Sequence, residues 1–149
     1  MFRVKQFSGR WIVALLAALS LTACGGGGSD SPSGAFDIGV YVDGRGVSGV
    51  QVEPGRTETI SISAGQSIEL DASEPVVWSL LVGGSAVTGS GTTVFYAGVD
   101  ITQTAVSESR IVIDTDAAHV LGAAVPLTLV ATSTLDAAQV ATVSVLVTN

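Results

Sequence analysis

From Phe36 onward, apolar and polar residues alternate with a period of two. In FDIGVYV, Phe36, Ile38, Val40 and Val42 share one side, while Asp37, Gly39 and Tyr41 share the other. The same alternation places Ile60 and Ile62 together in TETISIS, Ile68, Leu70 and Ala72 in SIELDA, and Ile111 and Ile113 in RIVID. It continues in VPLTLVATS with Val125, Leu127, Leu129 and Ala131, and in ATVSVLVT with Ala141, Val143, Val145 and Val147. Side chains alternate across a strand, so this period predicts strands with one buried face. VVWSLLV, Val76 to Val82, is apolar on both sides and predicts a more central strand. No segment carries a helical period; DTDAAHVLGAA, Asp114 to Ala124, has room for one helical turn.

Between these runs lie DGRG, EPGR, AGQ, SEP, VGGS and GSG, which have the glycine, proline, aspartate and serine chemistry of turns. About eight short strands separated by such turns predict an all-β fold, an antiparallel β-sandwich over residues 36–149. A small closed barrel is the alternative. At this length a single domain buries roughly two-thirds of its unfolded surface.

The start of the chain has a different pattern. Arg3, Lys5 and Arg10 precede WIVALLAALSL, an apolar run from Trp11 to Leu21 that is too short to cross a bilayer as a helix. A basic start, a short apolar core and small residues after it form a secretory signal, residues 1–23. The only cysteine, Cys24, follows immediately and opens residues 24–35, which continue from Gly25 as GGGGSDSPSGA, with nothing able to pack a core. Such a linker is a flexible coil with an r.m.s. reach of roughly 17–20 Å.

Leu21-Thr22-Ala23-Cys24 resembles the lipobox of bacterial lipoproteins, in which a branched residue and two small ones precede a cysteine. The resemblance implies that the Cys24 thiol receives a diacylglycerol, that the signal is cut before it, and that the new amino group is acylated, commonly with palmitate. Stable anchoring takes about two chains. Gly25 in place of an aspartate implies, within that family, sorting to the outer membrane. The expected location is therefore the bacterial cell envelope, with the membrane reached through the lipid.

Removing the signal changes the charge. All 13 acidic residues lie after Cys24, against Arg45, Arg56 and Arg110, which gives −10. Nucleic-acid binding requires clustered lysine and arginine to displace counterions, so nucleic acid is excluded as a partner. Basic partners and cations remain compatible.

A second resemblance lies in the β region. AGQSIELDASEPVVWSL looks like strands B and C of bacterial Ig-like modules, with Trp78 in the place of the strand-C tryptophan. VPLTLVATSTLDAAQVATVSVLVTN looks like their closing F–G hairpin. The pair of cysteines that pins antibody-type domains is absent, so packing alone must hold the two sheets together.

Candidate chemistry is sparse. Gly44 to Gly49 matches G-x-G-x-x-G, but VQVEPG follows where a helix is needed, so it reads as a hairpin. His119 is the only histidine and no G-x-S-x-G occurs, leaving a hydrolase using His119 as a remote alternative. Asp114 and Asp116, with Asp100, are the best Ca²⁺ candidates, since that ion takes six to eight oxygens. Tyr41 is out of phase with its strand's apolar side, and either Phe95 or Tyr96 must point outward. Tyr41 and Tyr96 are thus the candidates for stacking on a glycan. The expectation is a lipid-anchored Ig-like domain with a structural or protein-interaction role toward an envelope protein partner, with no catalysis and no cofactor beyond the lipid. The alternative is a surface module for glycan or Ca²⁺.

Overall fold

In the computed structural model, residues 35–149 are described, except 51 and 118. Their regular structure consists of strands without helix: β1 (Ile38–Val42), β2 (Arg45–Gly46), β3 (Thr57–Ser63), β4 (Ser67–Ala72), β5 (Val76–Val82), β6 (Ser85–Val87), β7 (Thr92–Tyr96), β8 (Val99–Val106), β9 (Arg110–Ala117), β10 (Val125–Ser133) and β11 (Val140–Thr148). They form two sheets. The first runs β2-β1-β4-β9-β8-β7 and the second β3-β11-β10-β5-β6. Every pairing is antiparallel except β3 with β11, which is parallel. The fold is a β-sandwich.

The period of two explains the layers. β10 and β11 each bury alternate residues along nine positions, Val125, Leu127, Leu129 and Ala131 facing inward on one, and Ala141, Val143, Val145 and Val147 on the other. Ile68 and Leu70 of β4, and Ile111 and Ile113 of β9, supply the opposing layer of the core. Phe36 is buried just before β1. Val52 bridges to Ile38, whose N–H it receives at 3.0 Å, before the chain passes into β3 of the second sheet. The amino-terminal part of the domain therefore contributes to both layers.

Three two-residue turns close hairpins where both residues adopt positive φ: Asp43-Gly44, Gly83-Gly84 and Ala97-Gly98. This geometry matches the right-handed twist of the strands it joins. Gly83 also needs to be glycine for room. A Cβ there would lie 2.7 Å from Cζ of Tyr96, whose ring covers the turn from the other sheet.

Three expectations are corrected. The strands number eleven among the described residues, not about eight, because β2, β6, β7 and β8 carry weak apolar alternation. β5 is interior to its sheet, paired with β10 and with the short edge strand β6, but only one of its faces is buried: the outward Val77 is 59% exposed. The stretch from Asp114 forms the end of β9 and then an irregular connection, with no helical turn. Its aspartates alternate with buried Ile113 and Thr115, which suits a strand.

Candidate functional site

The outward face of the first sheet carries the charge. Outward positions on β4 and β9 hold Glu69, Asp71, Arg110, Asp114 and Asp116, and β8 adds Asp100. Arg110 approaches Glu69 at 2.5 Å and Asp71 at 3.9 Å. Partial burial, and then the Glu69 carboxylate, raise Asp71 above its ordinary value against the pull of Arg110.

Register places the calcium candidates in a small group. Asp100 stands directly across from Asp116, while Asp114 faces Thr102. The Thr104 hydroxyl donates to Asp114 Oδ2 at 2.5 Å, and the Thr93 and Thr102 hydroxyls share a hydrogen bond of 2.9 Å. All three carboxylates are exposed. Among the described residues, no three or more His, Cys, Asp or Glu side chains are arranged to hold a metal ion.

The two tyrosines do not form one platform. Tyr41 is on β1, where its ring lies across Gly39 and beside Gly46 on the outward face. Tyr96 is on β7, at the opposite edge of the same sheet, and turns toward the Gly83 hairpin. The outward aromatic of that pair is Phe95, 66% exposed and opposite Asp100. Alternation left Phe95 and Tyr96 equivalent, and only the packing of Tyr96 over Gly83 distinguishes them. His119 is exposed in the connection from β9 to β10. Gly44 and Gly46 belong to the β1–β2 hairpin, and no helix follows them. Trp78 is half-buried against the core, with its Nε1 enclosed and, among the described residues, without a hydrogen-bond partner. Cys24 and the lipobox lie outside the described residues.

Sequence reading missed the edge of the second sheet. In a parallel ladder, one residue turns both backbone groups toward its partner strand and the next turns both away. The Arg56 carbonyl accepts from Thr142 N at 3.2 Å and Ala64 N donates to the Thr148 carbonyl at 2.7 Å, so the even-numbered residues face β11. Thr57, Thr59, Ser61 and Ser63 therefore point their N–H and C=O groups outward. Ser63 is satisfied by Gln66, whose side-chain oxygen takes its N–H at 2.7 Å and whose own N–H donates to its carbonyl at 3.0 Å. Among the described residues, the outward groups of Thr57, Thr59 and Ser61 have no such partner. Hydropathy could not reveal this, because strand order decides which strand is an edge.

The turn beside that edge is held by Asp43. Its carboxylate accepts from Ser67 N at 3.0 Å and from Gln66 Nε2 at 2.8 Å, and these bonds hold its pKa below 3.8. A carboxyl whose folded pKa is lowered stabilises the native state above its unfolded pKa, and that contribution is lost as pH falls through the folded value. Asp43→Asn tolerates the positive φ of 49° and is expected to shrink the drop in melting temperature between pH 7 and pH 3. An unchanged acid profile by calorimetry would show that the bonds carry no pH dependence.

Comparison with known proteins finds no matching family model, no matching curated protein and no matching solved structure.

Proposed function

We propose that the chain is a bacterial lipoprotein, anchored through acyl chains on Cys24 to the cell envelope at the outer membrane. Its Ig-like β-sandwich serves as a non-catalytic structural and protein-interaction domain. The observation that carries the anchoring is the run Leu21-Thr22-Ala23-Cys24, placed after a basic start and an apolar core and before a glycine linker. A sole cysteine in that position has no disulfide partner, and lipidation gives it a role.

Strand order supports the Ig-like reading of the body. β1, β4, β9 and β8 are adjacent in the order of strands A, B, E and D, and β11, β10 and β5 in the order G, F and C. On this reading β4 and β5 correspond to strands B and C, and β10 and β11 to strands F and G. A sheet edge whose backbone groups are unpaired among the described residues supports the interaction role, since such edges accept strands from partners.

Mass spectrometry of the chain isolated from bacterial membranes tests the anchor. The expected product begins at Cys24 and carries two or three acyl chains. Cys24→Ser is expected to retain the signal and lose the lipid mass. An unmodified thiol on secreted material would remove the reading.

A further inference from the structure

The four sheet edges differ in what they leave open. β2 has two residues and β6 has three, too few to template another strand. β7 has five, and Thr92 N is already engaged by the Gly89 carbonyl at 3.4 Å. β3 has seven, contains no proline, and, among the described residues, leaves three successive outward residues open. From these features we infer that the β3 edge is an acceptor for an antiparallel extended segment of another protein, one carrying a lysine or arginine against Glu58. The inference rests on the reading of the domain as an interaction module and names the surface and partner chemistry of that role.

Glu58 is what selects the partner. It is the one charged residue in the five strands of the second sheet, and it shares the inward side of β3 with Ile60 and Ile62. A strand added beyond β3 places its own inward side chains next to these three. A second copy fits poorly. A two-fold pairing centred on Thr59 uses all three open residues but sets the two Glu58 carboxylates diagonally across the axis. Centring on Ile60 separates them, but pairs Thr57 with Ser63, whose backbone Gln66 already occupies. Centring on Glu58 places the carboxylates face to face, which is unfavourable. A basic side chain in a different partner turns the same carboxylate into an attraction, and the acidic domain as a whole draws such segments in. The required partner sequence alternates apolar and hydroxyl residues, and the last of its inward-facing residues is the basic one.

The test uses the full chain in detergent micelles and a fluorescent hexapeptide, Val-Thr-Val-Thr-Lys-Thr, acetylated and amidated. Anisotropy is expected to show saturable binding, weakened about tenfold or more by Thr59→Pro, which removes an outward N–H that β11 does not use. Placing proline in the peptide opposite Thr59 is expected to give the same loss with the protein untouched, which guards against a folding defect in the variant. Replacing the peptide's lysine by glutamate is expected to weaken binding about fivefold, and Glu58→Lys to restore it. Absence of saturation up to millimolar peptide, or indifference to both prolines, overturns the assignment. So does sedimentation that finds a dimer of the chain dissolved by Thr59→Pro, which would make a second copy the occupant. Lipid on Cys24 is read separately, so failure here leaves the anchored-module reading standing.

Discussion

Leu129→Ala is expected to cost the domain about 3 kcal/mol of stability, within the usual range for a buried leucine. Leu129 is 1% exposed on β10, between Val143 of β11 and Leu80 of β5, and faces the opposing sheet. Truncation removes the transfer contribution of its methyl groups and leaves a void that a strand fixed on both sides closes poorly. The loss matters because Cys24 is the only cysteine, so no disulfide joins the sheets and their packing holds them together. Against a total of about 5–15 kcal/mol for a domain, this is a large fraction. Urea unfolding is expected to show a lower midpoint with an unchanged slope. Leu135→Ala, at a 76% exposed position, is the matched control and is expected to shift stability by less than about 0.5 kcal/mol. Equal effects from the two substitutions would mean that the assigned core is wrong.

The second large effect is expected at Gly83. Its φ is +57° and that of Gly84 is +82°, so alanine at either pays roughly 1 kcal/mol of backbone strain. Their surroundings differ. Nothing lies within 4 Å of a Cβ at Gly84, whereas one at Gly83 would lie 2.7 Å from Cζ and 3.0 Å from the hydroxyl oxygen of Tyr96. Tyr96 is 38% exposed, so its ring swings outward and gives up its cover over the hairpin. Gly83→Ala is therefore expected to cost about 2–3 kcal/mol, adding lost ring packing to the strain. In a Tyr96→Ala background the same change is expected to fall to about 1 kcal/mol. A double-mutant cycle read by thermal unfolding measures that coupling. Additive costs would show that the ring does not rest on the turn.

The same packing shows what the sequence could reveal and what it could not. The limits of β3, β4 and β10 coincide with the alternating runs, because one buried face imposes its period directly. β8 was hidden because Gln103 occupies an inward position, buried to 4%, and the register shifts between Gln103 and Ala105. β6 is too short to show a period at all. At the candidate sites, residue identity was legible and juxtaposition was not. That Asp100 faces Asp116 depends on how β8 pairs with β9, and that Tyr41 and Tyr96 lie apart depends on three intervening strands. The open backbone of β3 had no signature in its residues, since the same TETISIS would be closed by a neighbour elsewhere in the sheet.

The parallel pairing of β3 with β11 also governs how the domain responds to pulling. Once tension drawn from the two ends of the chain reaches Thr57 and Thr148, it enters this pair at opposite ends. The evenly spaced bonds of a parallel ladder then lie across the direction of force and share the load in shear. They yield together rather than one after another, as a hairpin opened from its free end would. The domain is thereby built to stay folded under tugging along its own length.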